Sequence, residues 1–89
     1  MLATFSDTPQ EDNLIIAVAA HRNNNESFSP PSNSNGVFSE SVYSDTNWYL
    51  DTGIWHKVAE TSEPKQVAII SSGNIEGGVL MILEVSGID

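Results

Sequence analysis

The sequence predicts an all-β fold: a small antiparallel β-sandwich, jelly-roll-like in arrangement. Three observations predict it. The apolar runs are short and rich in Val and Ile, which suits pleated strands. They are separated by clusters of Gly, Pro, Asn and Ser, the residues of turns. No stretch keeps a 3.6-residue apolar period. The 89 residues match a single small domain, 1–89, near the size where one core just suffices.

The elements follow in order. A short first strand is expected at Leu2–Phe5, then a turn at Ser6–Asn13 containing Pro9. Leu14–Arg22 is the second strand. Residues 23–36 form a long polar loop with five Asn, four Ser and two Pro. Such a composition builds no core, and Pro30-Pro31 opposes both helix and ladder. Val37–Ser44 is the next strand, followed by a long one at Asn47–Val58. Within the latter, Asp51-Thr52-Gly53 reads as a hairpin turn or a bulge. A turn at Glu60–Pro64, a strand at Gln66–Ser71, a glycine-rich turn at Ser72–Gly78 and a last strand at Val79–Val85 complete the chain.

In the long strand, alternation places Trp48, Leu50, Thr52, Ile54, His56 and Val58 toward the core. Tyr49, Asp51, Gly53, Trp55 and Lys57 then face solvent. A bulge at Gly53 would exchange the faces beyond it. Three strands, at 14–22, 66–71 and 79–85, are apolar on both faces. A two-layer sandwich buries one face of each sheet, so a second copy or another protein is expected to cover the rest. Ile15, Ala17, Ile70, Leu80 and Ile82 are the expected contact residues. Closed symmetry favours a homo-oligomer, with a trimer first.

Charge narrows the partners. Three Lys/Arg against twelve Asp/Glu give a net charge of −9. That excludes a phosphate-binding stripe, and with it nucleic acid. The longest apolar run, Leu14–Ala20, is far shorter than the ~20 residues of a spanning helix, so no membrane is expected. Residues Met1–Asp12 hold no basic residue and no apolar core of a secretory signal. The chain has no cysteine, so neither a disulfide framework nor a thiolate metal site is available.

No catalytic, cofactor or metal site is expected. Glu40, Asp45 and Asp51 could offer oxygen to calcium, but they lack the spacing of a calcium loop, and solvated surface charge is the simpler reading. His56, beside Trp55, and His21, beside Arg22, read as a satisfied inward histidine and a rim residue. A weaker hydrolase reading would set one of them against a carboxylate in a pocket. An outward Tyr49 and Trp55 would make a platform for stacking a glycan ring, the basis of an alternative as a carbohydrate-binding module at a cell surface or outside the cell.

Three segments together resemble a known family. Asn13-Leu14-Ile15-Ile16-Ala17-Val18-Ala19-Ala20-His21-Arg22, His56-Lys57-Val58-Ala59-Glu60-Thr61-Ser62-Glu63-Pro64 and Val79–Asp89 resemble, in order and spacing, a jelly-roll-like β-sandwich domain of phage virion proteins and bacterial surface proteins. The chain departs from that pattern at Pro31–Phe38, where the family carries a Trp. The resemblance implies a non-catalytic module of capsid decoration or tail, assembled in the host cytoplasm with other virion proteins. No catalytic residue carries over. In the family the chain continues past the last segment, so the resemblance also implies a sheet completed by neighbouring copies.

Overall fold

A computed structural model describes residues 1–22, 29–45, 50–69 and 76–87. The strands are β1 (Leu2–Thr4), β2 (Leu14–Arg22), β3 (Ser32–Asn33), β4 (Gly36–Val37), β5 (Ser39–Asp45), β6 (Leu50–Val58), β7 (Gln66–Ala68) and β8 (Glu76–Val85). They form two antiparallel four-stranded sheets packed as a small β-sandwich, with orders β1-β7-β3-β4 and β5-β6-β2-β8. The sheets differ in size. Strands of the first are only two or three residues long, whereas β2, β6 and β8 run to nine or ten.

β2 spans the residues its Val/Ile run predicts and lies inside the larger sheet, paired along its length with β6 and β8. The polar stretch 23–36 departs from a pure loop. Its described part carries β3, which forms a tight hairpin with β4 (Ser32↔Val37, Asn33↔Gly36). The hairpin turns through Ser34 and Asn35, and Gly36 re-enters the ladder at φ +129°, a conformation that L side chains rarely adopt. Pro31 precedes the ladder, and its carbonyl accepts a 2.9 Å hydrogen bond from Phe38 N–H. The single strand predicted at 37–44 is broken at Phe38. There the chain leaves the smaller sheet at β4 and enters the larger at β5, and the Phe38 side chain drops into the core.

The core lies between the sheets. It is built from Ile15, Ala17, Ala19 and Trp55 of the larger sheet, with Phe38, Ala59, Val67 and Ile69 opposite or at its rim. Burial of each large apolar side chain here contributes about 1.5–3 kcal/mol. Trp55 is the largest member, 1% exposed, with the Tyr43 ring 6.1 Å away at a 44° tilt.

The alternation in β6 is the reverse of the sequence expectation. Asp51, Gly53, Trp55 and Lys57 point inward, and Thr52, Ile54, His56 and Val58 point outward. Trp48 and Tyr49 lie outside the described residues. Gly53 is neither hairpin turn nor bulge: pairing with β2 runs unbroken through Ala19↔Gly53. It is a glycine because the Trp55 indole folds back over it. A Cβ at Gly53 would stand 2.7 Å from Trp55 Cζ2 and 2.8 Å from Cζ3. The inward polar residues are acceptable because each is partnered, as the next subsection describes.

Candidate functional site

The larger sheet has two unlike faces. Its inner face meets the core. Beyond a row of Arg22, Leu50 and Glu76 at one end, its outer face is organised by strand register into four rows across the sheet. They are Leu14–Val58–Val85, Ile16–His56–Leu83, Val18–Ile54–Met81 and Ala20–Thr52–Val79, and β5 extends the third row with Val42. No Asp, Glu, Lys or Arg stands in these rows. Val42, Ile54, Val58, Val79, Met81 and Leu83 are between 40% and 59% exposed. Residues 14, 16, 18 and 20 of β2 are half-buried, shielded by the flanking strands. Scattered exposed apolar residues need no explanation, but a contiguous apolar face of several hundred Å² marks an interaction site.

The sequence forms this face because β2, β6 and β8 place β-branched or long aliphatic residues at successive outward positions. The opposite sheet covers only the inner parity. This corrects the contact residues expected from sequence. Ile15 and Ala17 are 0% exposed, and Leu80 and Ile82 pack partly buried against the same core. They hold the sandwich together and leave the other parity outside. Ile70 lies outside the described residues.

The alternative of a glycan platform loses its Trp55. Trp55 is closed inside the core, where no sugar ring can stack on it, and Tyr49 is outside the described residues. Asp51 and Lys57 share the parity of Trp55 and are polar, so alternation alone sets all three toward solvent.

Both of those polar neighbours are anchored inside. His21 Nε2 and Asp51 Oδ2 lie 3.0 Å apart, with both side chains fully buried. They are register partners on β2 and β6, so the bond crosses directly between strands. The rim position expected for His21 is thereby replaced by a buried one. His56, expected inward, is on the outer face, where its Nδ1 shares a 2.7 Å hydrogen bond with Ser41 Oγ at the β5 bulge. A histidine against a carboxylate is the arrangement the hydrolase reading asks for. Here both members are sealed from solvent, and no pocket opens among the described residues.

The second anchor was not legible in the sequence. Lys57 Nζ donates to Glu63 Oε1 at 3.1 Å and to Glu60 Oε1 at 3.3 Å. Glu63 is 1% exposed. It also accepts from Asn33 Nδ2 at 2.6 Å, Asn35 Nδ2 at 3.4 Å and the Glu60 N–H at 2.8 Å. The predicted turn at 60–64 is therefore a self-capped one, with Ser62 at φ 59° and the Glu63 carboxylate folded back on the Glu60 amide. Burial pushes the Glu63 carboxyl up, but the donors at Glu60, Asn33, Lys57 and Asn35 outweigh it and hold it below the usual range. This cluster ties the β3–β4 hairpin, the end of β6 and the turn before β7 into one unit. At the same end of the larger sheet, where Ile15 pairs with both Lys57 and Glu84, Glu84 accepts from Gln10 N–H and Asn13 Nδ2, both at 2.7 Å, which lowers its pKa too.

Among the described residues no three His, Asp or Glu side chains gather to hold a metal. Asp51 lies inside the sandwich, bonded to His21, and is no surface carboxylate. The buried members His21, Asp51 and Glu63 of the two polar clusters are closed to solvent, and the outer sheet face is the surface with a clear physical demand for a partner. No protein family, curated protein or solved structure matches the chain.

Proposed function

We propose that this chain is a non-enzymatic structural module of a phage particle, a capsid-decorating or tail component that acts through protein–protein contact. The observation that carries the reading is the set of four uncharged, largely apolar rows on the outer face of the larger sheet. An exposed face of this kind is an energetic liability for an isolated domain and an asset inside an assembly. The phage setting rests on the resemblance of three segments. Those segments supply β2, the end of β6 with its Glu63-capped turn, and most of β8. They are thus the framework that presents the face. The acidic remainder of the surface keeps assembled copies soluble and excludes nucleic acid as a partner.

The test is quantitative mass spectrometry of gradient-purified particles from the phage or prophage that encodes the chain. The chain is expected in every particle preparation, at a fixed ratio to the major capsid or tail protein. Its absence from infectious particles, with abundant free protein in the lysate, would overturn the reading.

A further inference from the structure

We infer that the outer face of the larger sheet is the contact surface for a second copy of this chain, the two sheets packing face to face about a two-fold axis. This rests on the assembly reading above and deepens it by naming the partner.

Three features select the occupant. The first is shape. Packed sheets keep their strands within about 30° because each carries the same right-handed twist. Two copies of one sheet have identical twist and meet that condition by symmetry. The second is extent. Strand spacing of ~4.8 Å and a rise of ~3.4 Å per residue give a face of about 20 by 20 Å, on the order of 400 Å² in projection. The accessible surface of a corrugated apolar face exceeds its projection and approaches the roughly 800 Å² per partner of a standard specific interface. The third is charge. Each copy carries −9, yet the four rows contain no carboxylate. Two copies can therefore meet here with their acidic residues held at the periphery. A membrane is a poorer occupant. The chain has only three basic residues against twelve acidic ones, and Lys57 is buried in its ion pair, so Arg22 at one end of the face is outweighed by the chain's negative charge in any approach to an anionic lipid surface.

At the centre of this contact stand Val18, Ile54 and Met81, which would interdigitate with their two-fold equivalents. The acidic residues lie outside the apolar rows, so association would tighten with added salt as repulsion between anionic copies is screened. A basic protein partner would show the opposite dependence.

Sedimentation equilibrium of the full chain, at 0.05 and 0.5 M NaCl, tests the inference. A dimer is expected, tighter at the higher salt. Met81→Glu and Leu83→Glu should each raise the dimer Kd by about tenfold or more, since a buried unpaired carboxylate costs well over 1.4 kcal/mol. Val37→Glu, at an exposed site on the smaller sheet, should leave the Kd unchanged. Circular dichroism confirms that each variant keeps its sheet content. Because the chain has no cysteine, Val18→Cys gives a second measurement: oxidation should trap a disulfide-linked dimer. A monomer at 0.5 mM in high salt would overturn the inference. So would a dimer indifferent to Met81→Glu and Leu83→Glu, which would indicate pairing along the β8 edge instead. A monomer that is nonetheless present in particles refutes the inference alone. A dimer missing from particles refutes the phage reading alone.

Discussion

Replacing Gly53 with alanine adds one methyl group at the most crowded point of the core. An ideal Cβ there would lie 2.7 Å from Trp55 Cζ2 and 2.8 Å from Cζ3, with Cη2 nearer still. Carbon atoms pack at about 3.5–4.0 Å, so the indole must retreat by roughly 1 Å. It has little room to do so. Trp55 is 1% exposed, and the Tyr43 ring lies 6.1 Å away. Overpacking of this kind costs about 1–3 kcal/mol. Loss of glycine's freedom in the unfolded chain offsets about 0.5–1 kcal/mol. The net destabilisation is about 1–2 kcal/mol, which for a domain of this size lowers Tm by roughly 5–15 °C. Thermal and urea unfolding followed by circular dichroism, at one fixed protein concentration, measure it. Trp55→Leu should relieve the clash. The double variant is expected to be more stable than the sum of the two single losses by at least about 1 kcal/mol. A Gly53→Ala protein as stable as the parent, or strictly additive losses, would refute the inward indole and with it the reversed parity of β6.

The two polar anchors give further expectations. Glu63→Ala strips the acceptor from Lys57, Asn33 and the Glu60 amide and should cost about 3 kcal/mol at neutral pH, since it leaves a buried cation half-partnered; a loss under 1 kcal/mol in urea unfolding would contradict that. Because the folded-state pKa of Glu63 is depressed, its contribution is complete above the unfolded value near 4.5 and declines as pH falls through the folded value. The stability gap between the parent and Glu63→Gln should therefore narrow from pH 6 to pH 3, and a gap that widened on acidification would show the opposite sign of shift. For the His21–Asp51 pair, Asp51→Ala should destabilise by about 3 kcal/mol, whereas His21→Leu with Asp51→Leu should cost less than Asp51→Ala alone; additive losses in the cycle would show that the two side chains act independently.

Several strand positions could be read directly from composition, though β8 begins at Glu76, inside the stretch that reads as a glycine-rich turn. Leu14–Arg22 and the turn at Glu60–Pro64 stand where Val/Ile runs and turn residues place them, because these depend on local backbone preference. The all-β class follows from the same local signals. The β3–β4 hairpin inside the polar stretch was not legible. Its strands are two residues long and owe their place to contacts such as Asn33 with Glu63, thirty positions away.

The composition also established that greasy strand surface exceeds what one inner layer can hide, since β2 and β8 are apolar at every successive position from 14 to 20 and from 79 to 83. It could not say which side would remain outside. A strand apolar on both faces is nearly symmetric, and in β6 the polarity of Asp51 and Lys57 argued for the wrong side. Only the assembled sandwich broke that symmetry. His21 and Glu63 arrive from distant positions to satisfy Asp51 and Lys57, and Gly53 clears the space that Trp55 fills. Burying the largest ring with partnered charges beside it then outweighs burying Ile54 and Val58, and the aliphatic rows are left on the outside of the sheet.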